Sequence, residues 1–259
     1  MLSLNKKICI IVGHGKSKSG GYDSGAVSPD RKHHEFQIAK EIARHAAEYL
    51  GCDLMNYNGD LYLTERIKKV NKSDYDFIAE IHLNAAGGTG VETYYYKGSP
   101  TGLKASQAIC NEISDSLGVE NRGPKVRTGK MGRDYFAIIR DTKPCAVLVE
   151  TVFIDRKSDL EKIRTAEGQR ACGEAIGRAL ESVFGDKPHG DKKEDSFRIE
   201  IICKSLYIRN GAGTKFKTNG VVKNGDVLTV KETDAAGAWG RLENGRGWVS
   251  LHSKYVRKI

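Results

Sequence analysis

No stretch of this 259-residue chain approaches the ~18 consecutive apolar residues that a membrane-spanning helix needs. The opening residues, Met1-Leu2-Ser3-Leu4-Asn5-Lys6-Lys7, lack the apolar core and small-residue cleavage site of a secretory leader. These absences predict a protein made in the cytoplasm, with no membrane insertion and no export signal of its own. Cysteine pairing is absent too. Six cysteines stand at positions 9, 52, 110, 145, 172 and 203, none in a Cys-x-x-Cys pair and most inside apolar patterns. They read as reduced, buried small hydrophobes, which argues against a disulfide frame or a zinc knuckle.

What is present describes a soluble globular protein: 39% hydrophobic and 29% charged residues exclude a disordered chain. The length suits two domains or one large one, at roughly 100–200 residues per domain. The net charge of +9 is uneven. Residues 198–259 carry twelve Lys and Arg against five Asp and Glu, whereas residues 1–185 carry 27 against 24. The excess positive charge lies in the tail and implies an anionic partner: nucleic acid, a membrane surface or a wall polymer.

The N-terminal part alternates strand-like and helix-like segments. Ile8-Cys9-Ile10-Ile11-Val12 reads as a buried strand that stops at Gly13-His14-Gly15. A Gly/Ser-rich loop over 16–30 is too long for a turn and is expected to be functional or mobile. The spacing of Ile38, Ile42, Ala46 and Leu50 predicts a helix over 33–50, with Asp30 as N-cap and Glu35 in its first turn. Strands are predicted at 53–57, 77–82, 91–96, 135–139 and 146–150, and helices at 63–71, 103–117 and 168–184. This order predicts an α/β fold, a mostly parallel or mixed sheet with helices on both faces. Ligands gather at the carboxyl ends of such strands, where His14, His82 and Glu150 are expected.

Residues 186–197 are charged, contain Pro and Gly and lack periodicity, so they read as a linker. From 198 onward short β-rich pieces alternate with Asn-Gly turns at 210, 219, 224 and 244, which predicts a small all-β barrel. The expected domains are therefore 1–185 and 198–259.

Zinc hydrolases use a few His and carboxylate ligands, an open position and a further carboxylate that moves protons. His14, Glu35 and His82 can serve as ligands and Glu150 as proton carrier. Their order, His-(20 residues)-Glu-(46 residues)-His, is too spread to be a spacing motif. Glu35 alone is equally well explained by the helix dipole.

Five ordered motifs add a resemblance. Gly13-His14-Gly15, the Glu35-led helix, Ile81-His82-Leu83-Asn84-Ala85, Arg122-Gly123 with Ala137-Ile138-Ile139-Arg140, and Pro144 through Glu150 to Ile154 resemble the zinc-dependent N-acetylmuramoyl-L-alanine amidases. The resemblance spans roughly residues 7–184. It implies one zinc ion held by His14, Glu35 and His82, catalysis by Glu150, and cleavage of the amide between muramic acid and the stem peptide of peptidoglycan. It offers Asn84 and Arg140 as substrate-binding candidates, with a turn role the alternative for Asn84. Val152 and Asp155-Arg156 depart from the family's usual Gly and Ser-Asn. His33 and His34 are further candidate ligands, with surface positions expected; Glu80 is either a second layer behind His82 or a surface charge.

The tail resembles bacterial SH3-like wall-binding domains through Leu206 to Thr214, Lys223 to Val230, Trp239-Gly240-Arg241 and Gly247-Trp248-Val249. Tyr207, Trp239, Trp248 and Tyr255 are its candidate binding aromatics, with a core role the alternative for each. A catalytic and a wall-binding module without an export signal imply a phage endolysin that reaches the wall through a separate pore. The alternatives are a host autolysin or spore-lysis amidase, and a zinc peptidase acting within the stem peptide. The expected partners are peptidoglycan and other anionic wall polymers; no nucleic-acid motif is present.

Overall fold

Near-continuous apolar runs form the inner strands of a six-stranded sheet in the N-terminal unit. The computed structural model describes residues 4–85, 87–185, 196–234 and 238–259, and the chain divides into two units, Met1–Asp186 and Lys187–Ile259. In chain order the first unit has β1 (Ile8–Val12), a short pair β2 (Gly15–Lys16) and β3 (Tyr22–Asp23), and α1 (Glu35–Leu50). Next come β4 (Asp53–Met55), α2 (Leu63–Lys72), β5 (Phe77–Asn84), β6 (Val91–Tyr95), α3 (Pro100–Leu117) and β7 (Asn121–Lys125). The unit ends with α4 (Ala137–Arg140), β8 (Cys145–Phe153), α5 (Lys157–Ile163) and α6 (Ala166–Phe184).

The sheet order is β4-β1-β5-β8-β6-β7. The first four strands are parallel, β6 runs antiparallel to β8, and β7 is parallel to β6. Every residue of β1 is buried because both faces of the sheet are covered. Ile8, Ile10 and Val12 pack with α1, α3 and α6, while Cys9 and Ile11 pack with residues of α2 and α4. This is the mixed α/β layer that the pattern of runs predicts.

Several local expectations change. Helix α1 begins at Glu35, and its N-cap is His34, without a side-chain cap. Asp30 instead closes the preceding loop, accepting from Ser28 Oγ at 2.6 Å and the Lys32 amide at 3.1 Å. Helix α3 begins at Pro100, with the Ser99 hydroxyl accepting from the Gly102 amide at 3.0 Å. The expected strand at 135–139 is not a strand. Asp134 Oδ1 accepts from the Phe136 amide, and the amides of Ile139 and Arg140 donate to Phe136 O, winding the run into α4. The place beside β8 belongs to β6. Strand β7, Asn121-Arg122-Gly123-Pro124-Lys125, was not expected, since Gly-Pro reads as a turn; it lies at the sheet edge, where proline is tolerated.

All six cysteines are free; Cys9, Cys110 and Cys172 are buried and the others half-buried. Burial pushes the Cys172 thiol up to about 12, which keeps it unreactive. Among the described residues no helix is long and apolar enough to cross a membrane.

The second unit contains β9 (Phe197–Ile201), β10 (Ser205–Arg209), β11 (Thr218–Lys223), β12 (Val227–Thr233), β13 (Trp239–Leu242), β14 (Trp248–Ser250) and β15 (Val256–Lys258). All pairings are antiparallel, in the order β11-β10-β14-β13-β12-β9-β15. Ile199, Ile201, Ile208, Val230, Leu242 and Val249 form one core. The small all-β unit is thus a seven-stranded antiparallel sheet around one core. Exposed turns at Asn224-Gly225 and Asn244-Gly245 join strands, with Gly225 and Gly245 at φ of 85° and 75°. Of the linker expected at 186–197, only Ser196 and Phe197 lie within the described residues, and Phe197 already opens β9.

Candidate active site

The chain leaves β1 at Val12 and enters the site through Gly13. A Cβ at Gly13 would overlap Cε1 and Nε2 of the His82 imidazole, so the absence of a side chain there makes room for His82. His14 follows with φ of 60°, a left-handed conformation uncommon outside glycine. Two side chains hold it. Asn56 Nδ2 donates to Val12 O at 2.8 Å and to His14 O at 2.9 Å, and Arg66 Nη1 donates to His14 O at 3.0 Å.

From this turn the His14 ring places Nε2 3.2 Å from Glu35 Oε1, while its Nδ1 meets Asp23 Oδ2 at 2.9 Å. His82, on β5, places Nδ1 2.9 Å from the same Glu35 oxygen and Nε2 3.2 Å from Glu80 Oε2. The two rings meet edge to face with centroids 4.9 Å apart. Glu35 is fixed at the start of α1. Its Oε1 also accepts the Leu83 amide at 3.0 Å, and its Oε2 accepts the Ala26 amide at 2.7 Å. One ligand atom from each of His14, Glu35 and His82 thus lies within 4.8 Å of the others. Each imidazole keeps one nitrogen facing this point and gives the other to a carboxylate, the arrangement that orients metal-binding histidines.

The electrostatics follow from burial and pairing. Burial opposes ionisation of Glu35, yet the two imidazoles bonded to it hold its carboxyl below the ordinary range. Burial likewise opposes a charge on His82, but Glu35 and Glu80 raise its pKa well above the usual value. Glu150 differs. It sits on β8 in register with His82 on one side and Glu92 on the other. Glu92 accepts from Asn84 Nδ2 at 2.9 Å, the Tyr94 hydroxyl at 2.8 Å and Arg122 Nε at 2.7 Å. Glu150 Oε2 is buried without a hydrogen-bond partner. Burial pushes its carboxyl up to about 7; the His82 charge opposes this, and the Glu35 and Glu92 charges add to it. A carboxyl with one buried oxygen free of hydrogen bonds and a pKa lifted toward neutrality suits a proton carrier.

These groups open into a cleft of about 480 Å³, walled on its apolar side by Leu63, Phe136, Ala137 and Ile138. Lys16, Asp23 and Ala26 bring the Gly/Ser-rich loop to its rim. Asn84 also lines the cleft. Arg140 does not: its guanidinium donates to the carbonyls of Asp134 and Tyr135 and to Asp141, so it braces the loop before α4. His33 and His34 are outside the His-Glu-His cluster. Glu80 is buried and ion-paired with Arg66, which removes the surface-charge alternative. Val152 is buried in the main core. In the second unit Tyr207 is exposed, while Trp239, Trp248 and Tyr255 are half-buried. Sequence reasoning missed Asp23, Asn56, Arg66 and Glu92, which no spacing connects to the histidines.

An α/β sheet that gathers two imidazoles and a carboxylate at one point, with a free buried carboxyl beside them, has the groups of a metal-assisted hydrolase. Residues 8–182 match the family described as N-acetylmuramoyl-L-alanine amidase, and the chain belongs to that family. It is 32% identical over 187 residues to the sporulation-specific N-acetylmuramoyl-L-alanine amidase of Bacillus subtilis (strain 168), covering 70% of this chain and 69% of that protein. It is 28% identical over 283 residues to the endolysin of Bacillus phage SPP1, covering 98% of each. Among solved structures, Cwp6 from Clostridium difficile is similar at 35% identity and a TM-score of 0.63, over 69% of this chain and 29% of that one. Family and relatives together support peptidoglycan amidase activity.

Proposed function

We propose that the chain is a zinc-dependent N-acetylmuramoyl-L-alanine amidase of endolysin type, hydrolysing the amide between the lactyl group of muramic acid and L-alanine. The observation that carries this reading is the convergence of His14, Glu35 and His82 beside the unpartnered Glu150. The donor set fits zinc: two imidazole nitrogens and one carboxylate oxygen, with the far ring nitrogens held by Asp23 and Glu80. Bound there, zinc would polarise the scissile carbonyl and acidify a water.

The remaining work belongs to the chain's own residues. Glu150 takes the proton of the attacking water and returns it to the leaving nitrogen. Glu92, satisfied by three donors, stays ionised and leaves Glu150 as the free base. The apolar wall at Leu63 and Phe136–Ile138 shields the cleft from bulk water.

The endolysin reading is favoured because the match to the SPP1 endolysin runs through both units. A spore-lysis amidase is the second reading, favoured by the similarity to the sporulation-specific enzyme over 70% of this chain. In the endolysin reading the protein is made in a host cytoplasm and reaches the wall through a separate pore. Residues 1–185 are then the catalytic domain, 186–197 a linker and 198–259 an SH3-like wall-binding domain. Lys204, Arg209, Lys215, Lys217 and Lys223 lie on or beside β10 and β11, with no acidic residue from 201 to 225. Tyr207 is exposed opposite Val221 on the same pair. This basic edge suits peptidoglycan with its anionic wall polymers. Trp239 and Trp248, half-buried on β13 and β14, are assigned to wall contact with it.

Digestion of purified peptidoglycan with end-group analysis tests the reaction. New free L-alanine amino termini, without new reducing ends, are expected. Cleaved stem peptides on intact muramoyl–alanine bonds would replace the amidase with a zinc peptidase.

A further inference from the structure

Arg66 is 4% exposed and takes a core-facing position on α2, one turn before Val70. An amphipathic helix ordinarily places an aliphatic side chain there. A guanidinium so deep carries a desolvation cost that apolar packing avoids, so stability alone is a weak reason for it. Its bonds point to another reason. Nε donates to Glu80 Oε1 at 3.0 Å, and Nη1 donates to His14 O at 3.0 Å and Leu61 O at 2.9 Å. The other oxygen of Glu80 meets His82 Nε2, the ring nitrogen turned away from Glu35. One side chain therefore holds the backbone of one histidine and the carboxylate that orients the other.

We propose that Arg66 is a positioning residue that aligns the His14 and His82 imidazoles for a shared metal ion, acting through the His14 carbonyl and through Glu80. The proposal rests on the zinc reading above. It makes α2, which supplies no ligand, part of the metal site. Among the described residues, Asn56 and Arg66 are the side chains bonded to the carbonyl of the left-handed turn at His14, and the Asn56 side chain bonds to neither Glu80 nor His82. Arg66 thus links the two rings from behind, away from the Glu35 oxygen that meets both of them.

The test is zinc affinity of the full chain by chelator competition, with the absorption spectrum of the cobalt-substituted protein and thermal melting of the metal-free form. Removing Arg66 alone leaves the buried Glu80 carboxylate without its guanidinium partner, so the informative variant is the double substitution Arg66→Met with Glu80→Gln. Arg66→Lys is the milder companion, keeping the charge without the fork that reaches both acceptors. A rise of about 10- to 100-fold in the zinc dissociation constant is expected for the double variant, and a smaller rise for Arg66→Lys, with an altered cobalt spectrum and a fall in kcat at nearly constant KM. Zinc affinity within twofold of the parent, with an unchanged cobalt spectrum, overturns the proposal even if melting drops, because Arg66 then serves stability alone. Should the double variant not fold, the zinc affinity and cobalt spectrum of Arg66→Lys decide by the same criteria. If the parent itself binds no zinc, or His14→Ala leaves its affinity unchanged, the metal reading fails and takes this proposal with it; a parent that binds and variants that bind equally sink the proposal alone.

Discussion

Between pH 4.5, the ordinary value for a glutamate, and about 7, the value to which burial lifts Glu150, the unfolded chain has released the Glu150 proton while the folded chain keeps it. The native state binds more protons in that window, so its stability falls as pH rises, and the penalty is complete above about 7. For a site this buried it is on the order of 3 kcal/mol. Glu150→Gln should therefore raise the melting temperature of the metal-free protein at pH 8, with the gain vanishing near pH 4. The same substitution should lower peptidoglycan hydrolysis by about 10²- to 10⁴-fold while zinc binding persists. A melting shift that ignores pH would show that Glu150 does not titrate as its burial implies. Gly13 makes a second residue-scale prediction. Gly13→Ala would drive a methyl into the His82 ring, so zinc affinity and hydrolysis should collapse together while far-ultraviolet circular dichroism stays close to the parent's. Retained zinc affinity would mean the ring can shift without leaving the site. At this scale the sequence pointed to His14, Glu35, His82 and Glu150 through motif resemblance, and the fold gathers them at one cleft. Asn56, Arg66 and Glu92 were not legible, because the groups they serve lie far off in sequence and only the sheet register and the packing of α2 bring them close; Asp23, nine residues from His14, reaches it through the short β2–β3 pair, which the polar loop does not announce.

Elements were legible where periodicity ran long. Helices α1, α3 and α6, each 16 residues or more, carry stripes that three- and four-residue spacing reveals. The run Tyr135–Ile139 is too short for periodicity to separate strand from helix, and hydrogen bonds at Asp134 and Phe136 decided in favour of α4. That outcome matters for the site, because α4 supplies the apolar wall that a strand would have drawn into the sheet. Helix starts were read less well than helix bodies. The Ser99 cap of α3 precedes a proline and three residues that carry little of the apolar stripe. Ser99→Ala should cost about 1 kcal/mol in denaturant unfolding without changing hydrolysis, since α3 contributes nothing to the cleft lining. A loss of activity at unchanged stability would place α3 in the mechanism.

On the scale of the whole molecule, two units with separate cores divide the work: the first holds every residue of the proposed chemistry, the second most of the excess positive charge. A chain ending at Asp186 should hydrolyse soluble muropeptides at the parent's rate and lose salt-sensitive retention on sedimented walls. Retention that survives the truncation would deny the second unit its role.

The Asn-Gly pairs of that second unit set a limit on how long it stays the same molecule. A side-chain amide followed by glycine closes readily onto the next backbone nitrogen and opens as aspartate or isoaspartate, one reason such residues are thermolabile. Asn224 stands in an exposed turn next to Lys223 on the basic edge, whereas Asn219-Gly220, expected as a turn, lies within β11, where Asn219 is exposed and its Nδ2 donates to Arg246 O at 2.8 Å. Each deamidation would set a negative charge among those lysines. Ageing at mildly alkaline pH should thus erode wall retention step by step while hydrolysis of soluble substrate is untouched, and Asn219→Ser with Asn224→Asp should reproduce or forestall that drift at the two positions.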